Sequence, residues 1–313
     1  MRIMAASYRW LVLAAVVALS VSLLPAASPA ATTYMIAFGS SRTGSYQIYT
    51  MTETGSTQTL LTGKSPTDRQ SFDPAWSPRG KELVFESDRD TGKYSDLWKM
   101  SASGSKPQKL TNLRGPSRVP AWSPNGRWIA FAFGGPYVTT GRYTYKIYVM
   151  VSRPKLPVTS VKPLSSVALG SCSNPAWSPR SDRIAFDCNG DIYSMSFPGG
   201  KPINLTRSPE QDLNPSWSPD GEQITFGSNR SGTSQIWVMS AKGGTPTQLT
   251  GKSSRDGQNF DPSWSPDGRT IAFASNRDGN IQIYSMSADG SKQTRLTRNS
   301  AVDLAPNFWQ NPR

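Results

Sequence analysis

The chain has 313 residues, with 34 Lys and Arg against 21 Asp and Glu, two Cys and no His. Without histidine, neither a Ser-His-Asp nor a Cys-His catalytic arrangement can be built, and a His-ligated metal is excluded. Trp, Tyr and Phe supply 10% of the residues beside 26 Gly and 25 Pro, a composition that argues against disorder and for short strands separated by tight turns.

Residues 1–30 read as a signal peptide: Arg2 and Arg9 are followed by an apolar run of 15 from Trp10 to Leu24, then Ser28-Pro29-Ala30 with cleavage after Ala30. The run is short of the roughly 20 residues that a spanning helix needs. No Cys lies near the cleavage point, so no lipid anchor is expected there. Processing lowers the formal charge from +13 to +11. The positive residues are spread along the chain with no run of five, which reads as solubility before it reads as an anion-binding surface.

From Ala31 onward the chain repeats. A tryptophan anchor recurs in "DPAWSPRG", "VPAWSPNG", "NPAWSPRS", "NPSWSPDG" and "DPSWSPDG", at Trp76, Trp122, Trp177, Trp217 and Trp264. A degenerate copy, "APNFWQ", places Phe308 in the anchor slot. The spacings are 46, 55, 40, 47 and 44. Each unit carries an apolar triplet ending at Phe38, Phe85, Phe131, Phe186, Phe226 or Phe273. Each also carries an "IYTM"-like segment starting at Ile48, Leu97, Ile147, Ile192, Ile236 or Ile283. The last signature is a Leu followed by Thr or Ser, ending at Thr62, Thr111, Ser165, Thr206, Thr250 or Thr297.

Each signature reads as a strand, and "SPDG" reads as a type I turn with Gly where positive φ is easiest. Four antiparallel strands in about 40–55 residues make a propeller blade. The expected fold is therefore all-β: a six-bladed β-propeller of four-stranded antiparallel blades over residues 31–313. The N-terminus supplies three strands of a blade without an anchor, and the C-terminus an anchor alone. Pairing "APNFWQ" with "TYMIAFGS" closes the ring and removes two bare edges. The anchors are read as core between blades.

Cys172 and Cys188 come nearly opposite one another on the two strands flanking residues 178–183. In a secreted chain this reads as a disulfide, the alternative being two free thiols.

On these repeats the chain resembles the TolB-like propellers, whose blades are similar to "DPSWSPDGRTIAFASNRDGNIQIYSMSADGSKQTRLT" as it stands here. The resemblance covers the whole expected mature chain. It implies an extracytoplasmic six-bladed propeller that binds partner proteins at a propeller face. TolB itself carries an α/β domain before its propeller, whereas here the first strand is expected at about Tyr34. No partner-binding residue carries over.

Three groups of residues are candidates for binding. Arg89, Arg230 and Arg277, with Arg42, stand in loops between the second and third strands, where an Arg ring would greet a carboxylate or phosphate; repeated turn chemistry is the plainer account. Asp73, Asn174, Asn214 and Asp261 each precede Pro at the entrance of an innermost strand, where they could ring the channel mouth and hold Ca²⁺, the one cofactor considered. In the longest unit the loop "GGPYVTTGRYTYK" carries Tyr137, Arg142, Tyr143 and Tyr145, residue types typical of binding hot spots.

No enzyme is expected. "GxSxG" is absent, and the "TGKS" copies at 62–65 and 250–253 lack the upstream Gly and the following helix of a phosphate loop. The leading reading is a monomeric scaffold, secreted or periplasmic, that binds an envelope protein. It has no nucleic-acid partner and no transmembrane segment in the mature chain. A lectin-like binder of wall or extracellular polysaccharide is the alternative, and a carboxylate-dependent glycosidase the third.

Overall fold

A computed structural model describes residues 33–309 apart from 65–68, 91–92, 140–141, 155–156, 160, 162, 165–168 and 254–255. The signal peptide read at 1–30, Ser165, and the side chains of Tyr137 and Arg142 lie outside the described residues.

Six antiparallel sheets follow one another along the chain. Their first strands are Ser71–Trp76, Ser117–Trp122, Cys172–Trp177, Asp212–Trp217, Asn259–Trp264 and Asp303–Phe308. Each first strand packs on the first strands of the two neighbouring sheets, so the six form a closed inner ring. We number the blades 1 to 6, blade 1 being the one that holds both ends of the described chain and blade 2 the one that begins at Ser71. In blade 1, Asp303–Phe308 pairs with Met35–Ser40, in the register Ile36 to Phe308 and Ser40 to Asp303. Trp309 continues past the strand: its amide donates to the Met35 carbonyl (2.8 Å) and its indole to the Pro78 carbonyl of blade 2 (3.2 Å). A Cβ on Gly80 would overlap that indole.

The apolar triplets are second strands, and they are continuous rather than alternating because a blade is covered on both faces by its neighbours. Ile36, Ala37 and Phe38 are all fully buried, as are Phe85, Phe131, Phe186, Phe226 and Phe273. Each such Phe contributes about 1.5–3 kcal/mol by leaving water. The anchors are buried between blades, and Trp177 and Trp217 donate their indole N–H to Ala121 and Ala176 on the preceding inner strand (3.1 and 3.2 Å).

The "SPxG" turns form as their residues dictate. Gly80, Gly126, Gly221 and Gly268 take positive φ and donate to the Ser three residues earlier, while that Ser hydroxyl accepts from the amide opening the next strand. In blade 4 Ser181 takes the Gly position at φ 60°.

Two strand assignments shift. The outermost ladder is only two residues long and lies just before the Leu-Thr signature, as at Thr59–Leu60 ahead of Leu61-Thr62. The Thr acts as a clamp: its hydroxyl accepts from the third-strand amide, Thr62 from Ile48 at 2.9 Å, and donates to the Gln47 side chain at 2.7 Å. Thr111 and Thr250 repeat this with Asp96 and Gln235. Blade 3 has three strands among its described residues and an isolated bridge from Tyr148 to Pro163. Lys146 stands there in the slot of Gln47 and Asp96, and its ammonium bonds the Gly170 carbonyl. Among the described residues no helix is long and apolar enough to cross a membrane.

Candidate functional site

The inner strands wall a channel along the ring axis. Every one of them carries an X-Pro pair, and Pro cannot donate to a ladder. The pairing therefore breaks at each pair, between Phe72 and Ala75, Arg118 and Ala121, Ser173 and Ala176, Leu213 and Ser216, and Phe260 and Ser263. The residue before Pro is left-handed in all six blades: Asp73, Val119, Asn174, Asn214, Asp261 and Ala305 have φ of 47–56°. Asn and Asp tolerate that region best, and β-branched Val119 is the outlier. These positions lie mid-strand at bulges, not at the strand entrance the sequence suggested, because Pro ejects itself from the ladder two residues inside the strand.

The six positions line one end of a cavity of about 660 Å³ that also meets the Trp anchors and the prolines of the "SP" turns. Around half of this ring of positions runs a hydrogen-bonded relay. The Asn174 amide donates to Asp187 (2.6 Å), the Asn214 backbone donates to the same carboxylate (3.0 Å), the Asn214 side chain donates to Asp261, and the Ala305 amide donates to Asp261 (3.2 Å). Burial pushes the carboxyls of Asp187 and Asp261 up from their usual range. Asp73 faces this relay from blade 2. Burial, then the Glu86 and Asp261 carboxylates, push it to about 8 against the opposing pull of Arg118. Among the described residues no group of three or more Asp, Glu, Cys or His is placed to share a metal ion. Of Asp73, Asn174, Asn214 and Asp261, read as a possible calcium ring, the two Asn side-chain amides donate to the Asp187 and Asp261 carboxylates.

A smaller cavity of about 270 Å³ continues from Asp73 between Phe72, Glu86, Arg118, Val119, Tyr145 and Ser173. Arg118 pairs with Glu86 at 3.3 Å and lies over the Tyr145 ring. Burial raises the Glu86 carboxyl, opposed by Arg118. Beyond it the segment read as a long loop is instead a β-hairpin extending Trp128–Thr139 and Arg142–Val151, since alternating Tyr, Val and Thr favour strand over loop. Tyr143 meets Tyr94 edge-on and Tyr145 at a tilt, with ring centroids 6.0 and 6.4 Å apart. Tyr145 thus joins the channel to a half-buried aromatic cluster, a juxtaposition that residue order alone does not reveal.

The arginine set behaves differently. Each guanidinium turns back on its own blade. Arg42 grips both oxygens of buried Asp303 (3.0 and 3.2 Å), and Arg230 those of buried Asp212 (2.7 and 2.8 Å). Arg277 donates to Asn259 and Gln293 (2.9 and 2.6 Å). Arg89 stacks over Phe85 and Trp98. A ring of guanidinium groups presented to a ligand is therefore not what these residues form. They strut the blades, because an Arg two residues after a strand-end Ser can reach the acid or amide that opens the inner strand of the same blade.

Cys172 and Cys188 occupy facing ladder positions in blade 4, Cα atoms 4.1 Å apart, and their sulfurs are joined.

Residues 136–257 match the family model of the TolB β-propeller domain. Among curated proteins, the chain is 42% identical over 62 residues to the uncharacterized peptidase YuxL of Bacillus subtilis, covering 20% of this chain and 9% of that protein. It is 29% identical over 151 residues to the uncharacterized protein Atu1656 of Agrobacterium fabrum, 48% of this chain and 46% of that one. The chain thus spans less than half the length of either relative. Among solved structures, TolB from Acinetobacter baumannii superposes with a TM-score of 0.71 at 21% identity, over 89% of this chain and 67% of that one, a likeness of fold.

Proposed function

We propose that this six-bladed β-propeller, similar in fold to TolB, is a non-catalytic, monomeric scaffold that docks a partner protein of the cell envelope. The observation that carries this reading is the channel: a stiff-walled cavity of about 660 Å³ whose lining mixes Trp and Pro faces with amides and carboxyls. Cavities of about 300–1,000 Å³ with few, well-placed polar groups are the usual form of a binding site. Walls fixed by bulges, prolines and a hydrogen-bonded relay lose little freedom when a short segment of a partner enters.

An extracytoplasmic location is supported by the Cys172–Cys188 disulfide, which endures in oxidising compartments, and by the basic-then-apolar run before Ala30. Monomeric behaviour is supported by outer strands of only two residues in five blades, too short an edge for another chain to extend. The amides and the arginine committed to the channel carboxyls favour binding over turnover. The aromatic cluster of Tyr94, Tyr143 and Tyr145 favours polysaccharide as the second reading.

A photo-crosslinker at Asn125, on the channel lining, tests the first reading in the native envelope. Covalent capture of one protein, competed away by unmodified propeller, is the expected result. No captured protein, together with retention on a glycan array that Tyr143→Ala abolishes, would replace it with the second.

A further inference from the structure

The positive charge that is evenly spread in the sequence is sorted in space. The first-to-second and third-to-fourth strand turns of each blade lie at the same end of the ring. The amides of Ala102, Ser152, Phe197, Ala241 and Ala288 donate to the carbonyls of Lys81, Arg127, Asp182, Glu222 and Arg269, joining the two turns of blades 2 to 6. Neighbouring blades touch there as well: the Asn125 amide donates to Ser181 (3.0 Å), and the positions of Gly126, Gly221 and Gly268 abut Pro78, Pro179 and Pro219 of the preceding blades. This end is therefore one surface around the channel opening.

On blades 2 to 4 the first set of turns exposes Arg79, Lys81, Arg127 and Arg180, and the second set exposes Lys106, Arg153 and Lys201. Their described acids are Glu82 and Asp182, already paired with Lys99 and Arg153 and with Arg180. Among the described residues of blades 5, 6 and 1 the sign reverses: Asp220, Glu222, Asp267, Asp289 and Glu53 stand against Lys242, Arg269 and Lys292. Hydrogen bonds from Ser218 and Ser291 hold the Asp220 and Asp289 carboxyls below their usual range, so both stay charged.

We propose that this turn end, basic over blades 2 to 4 and acidic over blades 5, 6 and 1, is the docking surface for a protein of complementary polarity. The partner lays an acidic patch on the first half and a basic patch on the second, in one orientation about the channel. A uniformly anionic polymer or an anionic membrane would meet repulsion over half the surface, whereas a protein can match both signs. Such matching fixes orientation and speeds encounter more than it adds affinity. The choice of a protein as occupant rests on the scaffold reading above; the division of charge does not.

The test places photo-crosslinkers at Arg127, at Glu222 and, on the hairpin at the other end, at Tyr143, in the full-length protein in its native envelope. The expected result is one protein captured from both Arg127 and Glu222, through acidic peptides at the first and basic peptides at the second. Capture should fall about tenfold with Arg79→Glu/Arg127→Glu, and about tenfold with Asp220→Lys/Glu222→Lys, in variants whose melting temperatures match the wild type. Capture from Tyr143 alone would overturn this surface and leave the scaffold reading standing. Capture unmoved by either charge reversal would overturn the surface too. No protein captured from any position would overturn the scaffold reading and this surface with it. With inorganic polyphosphate and phosphatidylglycerol vesicles as probes, binding that depends on the basic half alone, in the absence of protein capture, would assign the surface to a polyanion.

Discussion

Six residues decide the shape of the channel, and each is set by the proline that follows it. A Pro inside a strand forces a bulge, the bulge puts the preceding residue at positive φ, and its side chain then points to the axis. Asp73 shows what this costs. Its carboxyl, about 8 in the folded chain against roughly 3.9 when unfolded, favours folding in its protonated form. A raised acid contributes stability that is present below the unfolded value and is lost as pH climbs towards the folded one. Asp73→Asn keeps the left-handed backbone and removes the titration. In urea unfolding across pH, the variant should exceed the wild type by on the order of 5 kcal/mol at pH 8 and converge with it below about pH 4. Parallel pH profiles for the two proteins would show that Asp73 ionises freely in the channel.

At the scale of elements, the repeats told most of the fold because each strand signature recurs in a ring where every blade meets the same neighbours. The Trp anchors, the Phe triplets and the "SPxG" turns all sit where their chemistry placed them. The Leu-Thr signature was legible as a repeat but not as a clamp, since Thr62 acts through its hydroxyl on Ile48 fourteen residues earlier, a contact that strand propensity does not register. The blade 3 hairpin was hidden by its glycines: Gly134 reads as a loop residue, yet it is small so that Tyr143 can cross over it. For the arginines, the residue type suggested a ligand, while the burial of Asp212 and Asp303, invisible in sequence, claims the charge.

The disulfide also acts at this scale, holding the start of the blade 4 inner strand to the end of the next across 16 residues. A loop of that size is worth about 3 kcal/mol. Cys172→Ala/Cys188→Ala should lower the denaturation midpoint accordingly, and dithiothreitol should lower the wild type but not the variant. A wild type insensitive to reduction would show that the bond adds nothing to blade 4.

For the molecule as a whole, position along the chain is a poor guide to position in space. Residues two or three apart at a turn lie on one end of the ring, and residues separated by a strand lie on opposite ends. An even spread of Lys and Arg in sequence is thus compatible with a surface divided by sign. Closure follows the same logic: Ile36 and Phe308 are ladder partners although nearly the entire propeller lies between them. Six sheets share every inter-blade interface only if the ring is shut, so removing the last inner strand exposes blades 1, 2 and 6 at once. The direct measurement is thermal unfolding of a chain ending at Leu304, followed by near-ultraviolet circular dichroism of the buried Trp anchors. A shut ring predicts that the single sharp transition of the full chain is lost; an unchanged cooperative melt would contradict closure by the terminal strands.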